Sequence, residues 1–390
     1  MRRIARGSYI CASCLSKSSR RLSTTPRLRN TSAAATSAPP PPPPSGYTHL
    51  NTRGLVLLSG HDAPKFLQGL TTNNVDPSRH TPWYSGFLSA QGRVLWDALI
   101  YPYGQDDAGD PRYLLEVDVE EIAPFMKHLK RHKLRSKVVM RDVREEWRVW
   151  AAWRKDGDTS ASSERAEGVL ATADPRLAAL GDRILLPSSG DLPTKLQSYE
   201  GLEEAGLGQY VVRRYMHGVA EGQKEILRES ALPMESNMDY LNGIDFRKGC
   251  YVGQELTIRT QHTGVIRKRI LPVQFYDSPS PPEELAYNQE KQFDVQQGTD
   301  IKAEGGRRPA GKFLASVGNI GLALCRLENM TDVRVSAEGG TFKEGMEFSI
   351  AIGDGTGDKV KVKAFVPEWL RTREQEKMER RARKEDPAVE

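Results

Sequence analysis

The sequence predicts an α+β protein: a mixed core of strands and helices over residues 46–267, then an all-β segment over 268–366. Three observations predict it. Apolar residues recur at helical spacing before residue 267 and almost never after it. Short β-prone runs bounded by glycine, proline and polar residues occur on both sides of that boundary. The chain has 390 residues, 38% of them hydrophobic and 27% charged, which is enough apolar material for two or three domains with a substantial core.

Residues 1–44 hold eight basic residues (Arg2, Arg3, Arg6, Lys17, Arg20, Arg21, Arg27 and Arg29) and no acidic one; the first acid of the chain is Asp62. With its many serines and threonines the segment reads as a mitochondrial transit peptide, cleaved between about residues 29 and 46. A disordered basic arm for nucleic acid is the alternative. Without those eight, 48 basic residues face 51 acidic ones, a net charge of −3, so the basic character belongs to the leader. The body shows no sign of general nucleic-acid binding. No apolar run approaches the roughly 18 residues of a membrane span. The six prolines at 39–44 form a stiff, extended linker, so that 1–45 is leader and linker and order begins near Gly46.

The core divides into lobes at about 46–145 and 146–267. In the first, 54–59 is a strand, and 61–70 a short helix with Pro64 in its first turn. Residues 87–99 read as strand–turn–strand around Gly92, and 113–117 as a strand. Residues 120–134 form an amphipathic helix with Ile122, Phe125, Met126 and Leu129 inward, followed by a strand at 137–143. In the second lobe 147–153 is a strand, 154–182 an irregular excursion and 196–220 helical, with Val211, Val212, Tyr215 and Met216 as its apolar face. Strands at 270–276, 312–317, 321–327, 346–352 and 359–365 then suggest a small β-barrel or sandwich. Residues 277–310, rich in Pro, Glu, Gln and Gly, read as a surface insertion. The charged tail 367–390 reads as a frayed, solvated helix.

Of four cysteines, Cys11 and Cys14 lie in the leader, and Cys325 sits in an apolar strand context that marks it as a core residue. Cys250 does not. It lies in Lys248-Gly249-Cys250-Tyr251-Val252-Gly253-Gln254-Glu255, between glycines that leave the sulfur uncovered and ahead of a helical run from Gln254 to Thr260. Unpaired N–H groups at a helix start, with Lys248 and Arg247, favour thiolate over thiol. Nucleophilic catalysis would want a histidine in reach, and His217 and His262, the nearest in sequence, lack a recognisable hydrolase context. Metal ligation is the other use of a thiolate. A closed zinc or iron–sulfur site needs about four ligands, and two distant cysteines cannot cage a cluster alone. A cluster on Cys250 would be shared with a partner protein or small thiol. Such thiol poverty also fits a reducing compartment.

Two earlier segments are candidates for ligand contact. Residues 66–73 end a helix in amides and hydroxyls that include Gln68 and Thr71. The hairpin at 87–97 carries Arg93 and Asp97, which either anchor a polar heterocycle or close a salt-bridged turn. Arg247, Lys248, Arg259 and the cluster Arg267, Lys268 and Arg269 either receive a carboxylate-bearing ligand or form a solvated face.

The octapeptide resembles the signature of the aminomethyltransferase-like (glycine-cleavage T-protein, GcvT) family, in its folate-binding, iron–sulfur maturation branch. Supporting blocks are 66–72, 87–97 with Gly92 and Arg93, 232–237 with Asp239, and 311–328 with Ser316. Together they cover roughly 50–366 in the family's order. The resemblance implies a three-part GcvT-type fold whose central cavity suits tetrahydrofolate, with Gln68, Thr71, Arg93, Asp97 and Arg259 as its contacts. It implies Cys250 as the central residue and possible shared cluster ligand, with Lys248 beside it and Gly249, Tyr251, Gly253, Gln254 and Glu255 shaping the loop. With the basic leader, it implies a mitochondrial matrix protein acting late in iron–sulfur cluster assembly, with A-type scaffold proteins as partners and a transient shared cluster. The catalytic block of the true aminomethyl-transfer enzymes has no counterpart among these residues. A tetrahydrofolate-dependent one-carbon transferase is the rival reading.

Overall fold

The computed structural model describes residues 37–155, 168–190, 199–336, 339–353 and 357–385. The leader up to residue 36, the middle of the 154–182 excursion, the first part of the helix expected at 196–220 and the last five residues lie outside that set. Three sheets make the architecture. The first joins β2 (Arg53–Ser59), β3 (Trp83–Leu88), β4 (Val94–Gln105), β5 (Pro111–Asp118) and β6 (Val139–Asp142) in the order β3-β4-β5-β2-β6. Helices α1 (Ala63–Gln68) and α2 (Ile122–Lys133) belong to this lobe. Ile122, Phe125 and Leu129 recur at helical spacing, so α2 buries one stripe against the sheet. There Phe125 stands edge-on to Phe87 at 4.9 Å and to Trp96 at 5.3 Å.

The second sheet has the order β10-β1-β7-β9-β8, from β1 (Gly46–His49), β7 (Trp147–Trp153), β8 (Leu170–Ala173), β9 (Asp182–Pro187) and β10 (Glu203–Glu204). The lobes are therefore not cut at one point in the chain: β1, the first strand, pairs antiparallel with β7 a hundred residues later. Helix α3 (Leu207–Met216) contacts β1 of this sheet and two strands of the barrel described next, and is shorter than the 196–220 periodicity suggests, because residues 199–204 are turn and edge strand. Next comes α4 (Gln254–Thr263). A closed barrel follows, in the order β11-β14-β13-β12-β15-β16: β11 (Lys268–Tyr276), β12 (Asp300–Ala303), β13 (Pro309–Val317), β14 (Ile320–Arg326), β15 (Phe348–Ala351) and β16 (Lys359–Ala364). Its strands follow the period-2 rule. In β16, Val360, Val362 and Ala364 point inward while the lysines between them stay wetter. Helix α5 (Leu327–Met330) adds Leu327 and Met330 to the barrel core, and α6 (Glu368–Glu385) ends the described chain.

Three expectations change. The 277–310 segment is not wholly an insertion, since β12 supplies a barrel strand and the ring would stay open without it. The tail is not simply frayed. Leu370 is fully buried, Trp369 Nε1 donates to His217 O at 2.9 Å, and Glu374 pairs with buried Arg269 at 2.8 Å. The prolines at 39–44 are not a free spacer. Pro39, Pro41 and Pro43 offer their carbonyls to Tyr287 Oη, Gln209 Nε2 and Trp153 Nε1 respectively, so the run lies across both the core and the barrel.

Two histidines make the fold acid-sensitive. Burial lowers the pKa of His217 to about 4, reinforced by Arg213; burial and then His132 do the same for His128. The unfolded chain takes these protons near 6.5 and the folded chain only near 4. Stability therefore falls as pH drops through that window. Urea midpoints at pH 7 and pH 5 should show the loss, and His217→Gln should recover about 1 kcal/mol of it at pH 5.

Candidate functional site

The octapeptide is a joint between the first lobe and α4. Its anchor is Lys248. The ammonium has three donors, and the carbonyls of Gln68 (2.8 Å), Thr71 and Asn73 (3.0 Å) accept from it. It also stands 4.8 Å from the centroid of the Tyr251 ring. Burial lowers its pKa to about 8 against the opposing pull of Asp245. Lys248 is thus committed to the exit of α1, and this is a different task from the thiolate-favouring one expected of it. Val252 N donates to Gly69 O at 3.0 Å, a second stitch to the same exit. Tyr251 is buried in the main core, and Gln254 Oε1 reaches back to accept from Tyr251 N at 3.2 Å.

Gly253 is required by the fit. It caps α4 with φ +81°, and a Cβ there would meet Ser89 O at 2.2 Å. Across the contact Gly92, φ +78°, turns the β3–β4 hairpin, and a Cβ on it would lie 2.9 Å from the Leu256 side chain. Hairpin turn and signature therefore meet backbone to backbone. Gly249 is different: nothing lies within 4 Å of where its Cβ would be, so it leaves the next residue open. That residue, Cys250, is a free, exposed thiol, and Glu255 is exposed in the first turn of α4. The helix start lies four residues beyond the sulfur-bearing position. Cys325, by contrast, is fully buried in the barrel, where burial drives its thiol pKa up. Among the described residues, no three or more His, Cys, Asp or Glu side chains gather as a metal site.

The five positions expected to contact folate do not share one environment. Gln68 spends its amide on Asn74 Oδ1 and Val75 N, both at 2.8 Å. Thr71 is fully buried and donates to Leu67 O at 2.9 Å. Asp97, also fully buried, accepts from Gly222 N and, at 3.0 Å, from Gln223 Nε2, with Arg53 3.8 Å away. Arg93 and Arg259 are exposed, and Arg93 donates to Ser230 O at 2.7 Å. With their polar atoms satisfied by protein groups, Gln68, Thr71 and Asp97 do not fit a tetrahydrofolate as they stand.

Sequence reasoning missed a buried ionic network between the two sheets. Arg183 Nη2 bonds Glu116 at 2.9 Å and Glu221 at 2.6 Å, and its Nη1 donates to Tyr210 Oη at 2.8 Å. Arg53 bonds the same Glu116 oxygen at 2.9 Å, and Arg176 reaches Glu221 at 2.8 Å. Burial alone would raise the Glu221 pKa, but Arg183, Arg176 and Arg214 outweigh it and hold the carboxylate ionised. The signal in the sequence was a charge inside an apolar strand: Glu116 after Leu114 and Leu115, Arg183 before Ile184 and Leu185.

Three antiparallel-rich sheets, the last a closed barrel, define the class at the level of fold: an aminomethyltransferase-like architecture. The glycine cleavage system aminomethyltransferase T of Bartonella henselae superposes with a TM-score of 0.60 over 84% of this chain and 87% of its own, at 12% identity, a likeness of fold. Residues 267–372 match the CAF17 C-terminal beta-barrel domain. Relatives named mitochondrial iron-sulfur cluster assembly factor IBA57 homologs occur in Aspergillus fumigatus, 44% identical over 95% of this chain and 91% of the relative, and in Pyricularia oryzae, 45% identical over 93% and 92%. The chain belongs to this IBA57 family of mitochondrial iron–sulfur cluster assembly factors.

Proposed function

We propose that the chain works in the mitochondrial matrix, late in iron–sulfur cluster assembly, by presenting Cys250 to a cluster shared with an A-type scaffold protein. The observation that carries this reading is the thiol's setting. Cys250 is exposed on a loop whose flanks are fixed by Lys248, Val252 and Gly253, while the other described thiol is sealed in the barrel. A fixed, uncovered sulfur that belongs to no cluster of three or more potential ligands among the described residues suits an incomplete site that a partner finishes. The cluster is cargo here, and the protein's part is to hold one thiolate at a set position while the scaffold supplies the other ligands. Family membership supports the assembly role; the stage, the partner and the compartment are inferences from it.

Cys250→Ser tests the reading. The side chain is exposed, so the melting temperature should stay within about 1 °C of the parent. In cells relying on the variant, aconitase activity should fall at least about tenfold. The purified variant mixed with an A-type scaffold should lose the visible absorption of the shared cluster. Unchanged aconitase activity would sink the proposal.

A further inference from the structure

A cavity of about 550 Å³ opens beside the signature helix, enclosed by α4, the 232–235 segment and the entry to the barrel. Small-ligand sites run from roughly 300 to 1,000 Å³, apolar in the main with a few polar groups that orient the occupant. This cavity is divided in that way. Met234 and Ile266 are buried in its wall, joined by Leu256 from α4. Arg267 and Arg326 are exposed at its edge.

The charge at that edge is only partly offset. A third cation, Lys268, is already paired with Glu235 at 3.2 Å. Glu328, the acid that senses Arg267, has its carboxylate taken by Val335 N, Ser336 N and Ser336 Oγ. Neither Arg267 nor Arg326 has an ion-pair partner within 4 Å among the described residues. Two guanidinium groups with no carboxylate in ion-pair contact among the described residues, next to a buried apolar wall, make a site with room for an anionic head.

We propose that this cavity binds a small amphipathic anion, with its apolar body against Met234, Leu256 and Ile266 and its charged head between Arg267 and Arg326. The site is separate from Cys250 and requires no cluster. It shares α4 with the signature, so an occupant touches the same helix that the thiol loop enters.

Isothermal titration of the full chain with octanoate tests it. Octanoate should bind with a Kd below about 1 mM, whereas acetate, which has the head alone, and octylamine, which has the wrong charge, should not. Arg326→Glu should weaken octanoate at least about tenfold, and so should Val265→Asp, which places a carboxylate on a lining residue that is 37% exposed. Arg267→Glu replaces Arg326→Glu if the latter does not fold. Absence of octanoate binding overturns the proposal, as does equal affinity in the folded variants or acetate binding as tightly as octanoate.

Discussion

Arg183→Met lowers folding stability by about 4 kcal/mol, read as a shift of the urea midpoint at pH 7. The side chain is fully buried and holds together groups from three places: Glu116 on β5, Glu221 after α3 and Tyr210 on α3. Methionine fills much of the volume, so the loss comes from charge. Glu116 keeps Arg53 and the Tyr101 hydroxyl at 2.7 Å, and Glu221 keeps Arg176, but each carboxylate is left short of a donor in a dry interior. Arg183→Lys should cost about half as much, since the charge remains while the fork that reaches two carboxylates and a phenol does not. A loss below about 1 kcal/mol for the methionine variant would mean the remaining arginines satisfy both carboxylates, and the network would not be what joins the two sheets.

Lys248→Ala, the second large effect, separates position from chemistry. It removes the one ammonium from which the carbonyls of Gln68, Thr71 and Asn73 all accept, two of them on buried residues, and should cost about 2 kcal/mol. The more telling readout is local. The Val252 amide, bonded to Gly69 O in the parent, should exchange its hydrogen at least about tenfold faster. Cluster sharing should fall toward the Cys250→Ser level although the thiol is still present. Lys248→Arg should rescue stability only in part, because a planar fork cannot serve three converging carbonyls as an ammonium does. Normal exchange at Val252 in Lys248→Ala would show that the glycine contact alone holds the loop.

How far the sequence could be read depended on range. The octapeptide was legible because its information is local: a cysteine flanked by glycines ahead of a helical run. The long amphipathic helix and five of the six barrel strands were legible for the same reason, since periodicity is a property of neighbours. What failed were the long-range relations. Arg53 and Glu116 are 63 residues apart, Arg183 and Glu116 are 67 apart, and no spacing rule pairs them. Lys248 was seen as a charge near a sulfur, yet its partners are carbonyls some 175–180 residues earlier in the chain. β12, four residues within a polar stretch, carries no pattern of its own and is a strand because the barrel needs one there. β1 reads as the start of the first lobe and is taken by the second.

The docked prolines set a boundary on how the leader can be trimmed. Polyproline is already extended in the unfolded chain, so laying it over two surfaces forfeits little freedom. It fastens them through three backbone oxygens, at Pro39, Pro41 and Pro43. A cut before residue 39 would leave that clasp whole, whereas one beyond residue 43 would strip the acceptors from Tyr287, Gln209 and Trp153 together. If the leader is cut during import, the end point of that cut bears on folded-state energetics as well as on peptidase preference.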